Sequence, residues 1–396
     1  MSNSSSTSDD KLWSETPLIY SSHLSSLLDS NVYLKLEVSA VRLNVLLLHF
    51  PKNLQPSQSF KYRGISHFAQ VAKNKYGANA RLVVASAGNA GLAVATAANN
   101  LGLKCTVFLP VAVTKNVHDL LKKENAEVVV VGQYYLQSFQ EAEKAAQLDP
   151  NAILVPAYDH ALLWEGHSSL IEEISRQLNK KPDAIFCSVG GGGLLGGVIA
   201  GCKQVAWDDV PVVALETHGS ACFYHSISVN DKRWREGKTE SDIFWTSFDD
   251  GHHVRIAHLR NITSKAASLG ATSPAAAVVK MALERQGGVT CAKVPDEMSM
   301  ATSCLFAEDH KFIVELACAA TLSAAYYPSF FSRLLEASTR STKSTAEKRT
   351  VVIIVCGGVK ISLDEMKEYA EIARKVKSEG SRWEVECNGE SWSIPT

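Results

Sequence analysis

DAIFCSVGGGGLLGGVIAGCKQV (residues 183–205) decides the fold class of this 396-residue chain. An unbroken apolar run at residues 184–187 leads, through Ser188 and Val189, into four glycines and then into a helical pattern. A strand that is apolar on both faces belongs in a parallel sheet covered on each side by helices. The same strand-then-helix unit recurs around it. RLVVAS precedes AGLAVATAANNLG, CTVFLPV precedes KNVHDLLKKEN, AEVVVVG precedes SFQEAEKAAQL, and AILVP precedes SSLIEEISRQL. VYLKLE opens the series and PVVALE closes it, so the class is α/β with mostly parallel sheets flanked by helices. Beyond this, residues 225–253 mix charges and aromatics without a period and read as a surface insertion. The helical SPAAAVVKMALERQ and VELACAATLSAAYY follow, then a terminal strand, TVVIIVCGG, and a last helix starting near Ser362 with only a short tail behind it.

The hydrophobic content of 46% supports a large core, and a formal charge of −1 provides no field to attract nucleic acid or an acidic membrane surface. A small-molecule partner is the better expectation. Nine cysteines without C-x-x-C spacing, most within apolar runs, point to a reducing compartment. The amino terminus has neither a basic nor an apolar targeting region, and no run of eighteen apolar residues occurs, so a cytoplasmic protein without a membrane span is expected.

Four motifs carry chemistry. Lys61 in SFKYRG stands beside Phe60 at a helix start; a desolvated flank there lowers an amine's pKa and suits a Schiff-base lysine, although an ordinary surface lysine fits this motif equally well. SAGNAG, with Ser86, Ala87, Gly88 and Asn89, opens a helix after a strand, where free N–H groups suit a carboxylate; its plainer reading is a tight turn of small residues. In SVGGGGLLGG, Gly190, Gly191, Gly192, Gly193 and Leu194 let backbone donors approach a phosphate at a helix start. No Gly-Lys-Ser/Thr follows, so this is not a nucleotide P-loop, and a dinucleotide oxidoreductase reading leaves Lys61 and the carboxylate turn unexplained. Cys356 ends the last apolar strand and Glu216 ends PVVALE, both at the strand edge where α/β ligands gather; the plainer reading of Cys356 is a buried structural cysteine, and Glu216 reads as a paired carboxylate or a cation ligand. The adjacent pair His252 and His253 is poorly spaced for one zinc ion.

In this order the motifs resemble the fold type II pyridoxal-phosphate enzymes, and among them the serine/threonine dehydratase family. The resemblance runs from ETPLIYSS to VCGGVKIS and takes in VYLKLE, QPSQSFKYRGISHF, LETHGS, SLGA and VELACAA. It implies two domains, a large one from residues 1–52 and 160–396 and a small one from residues 53–159. It also implies pyridoxal 5′-phosphate as cofactor, with Lys61 as its Schiff-base lysine and Phe60 packed on its ring. Ser86, Ala87, Gly88 and Asn89 would hold the substrate carboxylate, with Asn89 also reaching the ring hydroxyl. Residues 190–194 would hold the phosphate, and Cys356 would face the pyridine nitrogen. Glu216, with Ser220, Leu269 and Ala271, matches positions around a monovalent cation such as K+. The implied reaction is β-elimination from L-serine or L-threonine in a cytoplasmic homodimer. A thiol facing the ring nitrogen, unlike an aspartate, does not keep it protonated, which favours elimination over transamination. Serine racemisation, β-replacement and a non-catalytic cofactor-binding relative are the alternatives.

Two departures from the family pattern stand out. Gln58 occupies a position often held by glycine. Residues Val38–Lys52 are extra, because the pattern passes directly from VYLKLE to NLQPS, and they read as an aberrant insertion. The genetic code allows Val38-Ser39 to be a splice-donor-like GTAAGT or GTGAGT, Leu43-Asn44 to contain a branch-point-like CTAAC, and Lys52 to end in AG. Translated intron sequence is therefore the hypothesis, and a genuine lineage-specific loop is the alternative. Sequencing the messenger RNA checks it: transcripts lacking codons 38–52 are expected, and the shortened protein should be the more soluble and active form. A mature transcript that retains them, with full activity of the longer protein, contradicts it.

Overall fold

The computed structural model describes residues 11–38, 54–111, 113, 115–232, 234, 241–338 and 347–396. Residues 39–52 lie outside that set, so the expectation about the Val38–Lys52 run falls beyond the described residues except for Val38, which is buried.

The chain begins with β1 (Leu18–Tyr20) and β2 (Asn31–Leu36), an antiparallel pair. It then builds a four-stranded parallel sheet from β3 (Arg81–Ala85), β4 (Lys104–Leu109), β5 (Glu127–Val130) and β6 (Ala152–Leu154), ordered β5-β4-β3-β6. After the helix Ala161–Gln177 come β7 (Ala184–Ser188) and β8 (Val212–Thr217). A hairpin of β9 (Phe244–Asp249) and β10 (Val254–Leu259) stands apart as its own two-stranded sheet. Next are β11 (Val289–Val294), β12 (Thr350–Val355), β13 (Arg382–Cys387) and β14 (Glu390–Pro395). The large sheet runs β1-β2-β12-β7-β8-β11-β13-β14. Its centre, β2 to β11, is parallel, and β7, β8 and β12 are buried along their whole length. Continuous apolar runs are what helix cover on both faces requires. Among the described residues, no helix is long and apolar enough to cross a membrane.

Three elements differ from the sequence expectation. β11 lies inside the large sheet, but Thr290 and Lys293 interrupt its apolar run; Lys293 Nζ is accommodated 3.1 Å from Glu386 Oε1 on β13. The tail behind the last helix is not a mere extension. It is a hairpin turning at Asn388 and Gly389, whose φ values of 47° and 84° suit a two-residue turn between twisted strands. Residues 225–253 are not simply a surface insertion either. His225, Ser226 and Ile227 are buried in the helix Cys222–Ser228, and 244–249 form β9. The expected final helix, Leu363–Ser378, is present and starts with a reciprocal capping box between Ser362 and Glu365.

A buried group of charges ties these layers together. Arg63, on the helix Lys61–Tyr76, donates from Nε and Nη2 to Glu37 at 2.8 Å each. From Nη1 and Nη2 it donates to Glu173 at 2.6 and 2.7 Å. Lys35 Nζ donates to the same Glu173 carboxylate at 2.7 Å, and all four side chains are buried. Burial alone pushes the Glu173 carboxyl up, but the bonds and charges of Arg63 and Lys35 outweigh it and hold the group below its ordinary range. Two cations thus meet two anions with their hydrogen bonds satisfied, the condition under which buried charges are tolerated. Next to this group Gly64 faces Gly166: a Cβ on Gly166 would lie 2.6 Å from Gly64 Cα, so the helices Lys61–Tyr76 and Ala161–Gln177 cross in near backbone contact.

Arg63→Leu should therefore cost about 3–5 kcal/mol, because it leaves two buried carboxylates with only Lys35 between them. Urea denaturation measures this as a lowered midpoint; an unchanged midpoint contradicts the assigned role.

Candidate active site

The start of the Lys61 helix is pinned to the end of β12. Phe60 N–H donates to Cys356 O at 3.1 Å, and Gly358 N–H donates to Gln58 O at 3.0 Å. Gln58 has φ 62°, a left-handed conformation that glycine adopts without strain and glutamine does not. The glycine of the family pattern thus has a backbone reason, and this chain accommodates its absence. His167 supports the same turn: its Nδ1 accepts the Gly64 N–H at 3.1 Å, and its ring lies 4.9 Å from that of Phe60. Burial, with the nearby charges of Lys61 and Arg63, holds His167 well below its usual range and keeps it neutral.

Lys61 is the first residue of its helix. Its Nζ donates to Ala157 O at 2.7 Å and lies 5.4 Å from the centre of the Phe60 ring. Burial brings its pKa down from 10.5 to about 8, with Glu315 and Cys356 opposing the shift. The free amine that a nucleophilic lysine needs then forms through about pH 8, well below the ordinary lysine range.

Two strand-to-helix turns face this amine. Residues 86–88 connect β3 to the helix Asn89–Leu101, and residues 189–192 connect β7 to the helix Gly193–Gln204. Among the described residues, the N–H groups of Gly190, Gly191, Gly192 and Gly193 donate to no backbone carbonyl. Gly192 has φ 96°, and a Cβ on Gly191 would lie 2.4 Å from the Tyr158 ring, so side chains are excluded from this loop by both conformation and space. Both turns, Phe60, Lys61 and Cys356 line one cavity of about 520 Å3. That volume accommodates a cofactor together with a small ligand.

Cys356 is buried at the edge of the cavity, with its sulfur 3.3 Å from Ser188 Oγ. Leu269 and Ala271 also line the cavity, but Glu216 and Ser220 are not among its lining residues. Glu216 sits behind, accepting the N–H groups of Phe223 at 3.0 Å and Tyr224 at 2.6 Å, and Ser220 Oγ donates to Leu269 O at 2.6 Å. Burial pushes the Glu216 carboxyl up to about 8, against the pull of those two N–H donors and Lys293. Among the described residues, no cluster of three or more His, Cys, Asp or Glu side chains is placed to hold a metal.

Glu315 and Lys360 are cavity residues that the motifs did not single out. Glu315 accepts from Asn89 Nδ2 at 2.7 Å, while Asn89 Oδ1 accepts the Val359 N–H at 3.0 Å. Ser268 Oγ lies 3.2 Å from the same Asn89 nitrogen, so the Asn89 side chain is held on both its polar atoms. Glu315 lies within VELACAA, where the apolar surroundings suggest core, and nothing local announces its contact with the other sheet's helix.

Residues 10–357 match the family described as pyridoxal-phosphate dependent enzyme. The chain is 34% identical over 364 residues to the L-serine dehydratase/L-threonine deaminase of Homo sapiens, covering 92% of this chain and 96% of that one. It is 31% identical over 333 residues to the L-serine dehydratase of Dictyostelium discoideum, covering 81% and 85% respectively. The structure superposes on a fungal L-serine ammonia-lyase from Rhizomucor miehei with TM-score 0.73 and 31% identity, covering 91% of this chain and 98% of that one.

Proposed function

Because the chain belongs to the pyridoxal-phosphate dependent enzyme family, we propose that it is an ammonia-lyase acting on L-serine and L-threonine, forming pyruvate or 2-oxobutyrate with ammonia. The observation that carries this reading is the placement of the Lys61 amine, with its lowered pKa, in one cavity with a carboxylate-sized turn and a glycine cradle.

The site's chemistry fits the cofactor. The loop 190–193 offers backbone donors without backbone partners at a helix start, the donor set a phosphate takes. Lys61 would be the covalent anchor of its aldehyde, Phe60 would flank its ring, and Cys356 would face its nitrogen with a thiol rather than a permanent anion. When bound, the cofactor supplies the electron sink for charge developing at the substrate's α-carbon. The turn Ser86 to Asn89 would hold the substrate carboxylate and so fix the direction of the Cα–H bond. Lys61 Nζ, whose pKa burial brings down to about 8, is the group suited to take that proton once its ammonium form is deprotonated. Asn89, locked between Glu315 and Val359, keeps the turn from rotating as the substrate enters.

The partition of the sheets supports a small domain at residues 53–159, which contains β3 to β6, and a large domain from residues 1–52 and 160–396, which contains the other strands. The burial and raised pKa of Glu216 support a monovalent cation such as K+ close to Glu216, Ser220, Leu269 and Ala271, where positive charge would relieve the cost of ionising a buried carboxylate. Nine reduced, mostly buried cysteines support a cytoplasmic setting, and we take the working form to be a homodimer by likeness to the family.

The purified protein should show the visible absorbance of bound cofactor and convert L-serine to pyruvate, detected as a keto acid. Lys61→Ala should lose that absorbance and at least about a thousandfold of turnover, since anchor and base go together. D-serine as the main product, or no keto acid, overturns the assignment.

A further inference from the structure

Lys360 lies two residues after the glycine pair that follows β12, beside the carboxylate turn. The Val359 N–H bond to Asn89 Oδ1, at 3.0 Å, docks this segment against the turn. A Cβ built on Gly88 would lie 2.5 Å from Lys360 Cε and 3.0 Å from Nζ. The lysine stem therefore fills the space that only a glycine at 88 leaves open, and its ammonium ends over the turn within the same cavity.

Among the described residues, no carboxylate forms an ion pair with that ammonium within 4.0 Å. Glu315 is near enough to feel its charge; its Oε1 accepts from Asn89 Nδ2 at 2.7 Å, its buried Oε2 has no hydrogen-bond partner among the described residues, and burial raises its pKa. The turn's other donors, Ser86, Asn89 and the N–H groups at the helix start, are all neutral. A cation with no carboxylate within ion-pair distance among the described residues, set beside neutral N–H and O–H donors in the cavity, is complementary to a substrate carboxylate.

We propose that Lys360 is a specificity-determining residue that binds the α-carboxylate of the amino-acid substrate as its counter-ion. The inference rests on reading the cavity as an amino-acid site, and it adds a charge to a recognition turn that otherwise works through dipoles alone. It also gives Gly88 a second duty: any side chain there would displace the lysine as well as crowd the ligand.

The test is a titration of the cofactor-loaded enzyme with L-alanine, which carries the α-amine and α-carboxylate but no β-hydroxyl to lose, followed by the visible absorbance. Lys360→Met keeps the stem and removes the charge, and its dissociation constant for L-alanine should rise about tenfold, ~1.4 kcal/mol. Lys360→Arg should stay within about threefold of the parent. L-Alaninamide, which lacks the carboxylate, should bind the parent and Lys360→Met alike. With L-serine, KM should rise by the same factor as the alanine constant while kcat stays within about twofold, as expected for a contact made equally throughout the reaction. Equal L-alanine affinity of the parent and Lys360→Met overturns the proposal. So does an equal loss of L-alaninamide affinity, which would indicate lost packing, or a parent enzyme that does not respond to L-alanine. Pyruvate formation from L-serine decides the reaction separately, because the alanine titration requires no elimination.

Discussion

Arg63 sits two residues beyond Lys61 and spreads its guanidinium across two carboxylates from different parts of the chain, Glu37 after β2 and Glu173 on the helix Ala161–Gln177. Few interactions fix position as tightly as a planar fork bonded on both edges. Because all the participants are buried, the first turn of the Lys61 helix cannot shift without exposing or unpairing charge. The bond from Phe60 N–H to Cys356 O just past β12, the bond from Gly358 N–H back to Gln58 O, and the His167 bond to Gly64 complete the clamp. A catalytic amine needs this: misplacement of about 1 Å can cost on the order of a hundredfold in rate.

Within that frame, the site's electrostatics follow from burial. The lysine nearest the reaction loses much of its preference for charge, and His167 remains neutral beside it. Burial raises the Glu315 carboxyl, against the hydrogen bond it accepts from Asn89 and the charge of Lys360, and the acid closest to Asn89 holds the turn through that bond. Among the described residues lining the cavity, Lys360 is the one cation besides Lys61. The arrangement places neutral donors around the reacting atoms and charge where a substrate carboxylate would lie.

Much of the architecture was legible from local pattern. The runs in β7, β8 and β12 are apolar because both faces are buried, and each is followed by a loop whose small residues admit no other role easily. β11 was not legible, since Thr290 and Lys293 look polar until Glu386 is seen beside Lys293. The hairpin at Asn388 and Gly389 carried a usable turn signal that the shortness of the tail obscured. For the site, the two turns and Cys356 announce themselves by their position at strand ends, and the lysine by its place at a helix start beside Phe60. Glu315 does not, because its partner Asn89 is 226 residues away in sequence and its own surroundings read as core. Lys360 is hidden for the same reason: one lysine beyond a glycine pair has no local meaning until Gly88 is packed against it. Contacts between the two sheets' loops are set by topology, which local periodicity does not encode.

The central claim is that Lys61 is the amine around which this cavity is built. Reductive trapping of added pyridoxal phosphate with borohydride, carried from neutral to alkaline pH and followed by peptide mapping, tests it directly. The account requires one dominant adduct on the peptide containing Lys61, with a yield that rises through about pH 8 as the buried ammonium loses its proton. Label spread over many lysines, or a dominant adduct whose yield rises only near 10.5, the ordinary lysine value, would contradict it.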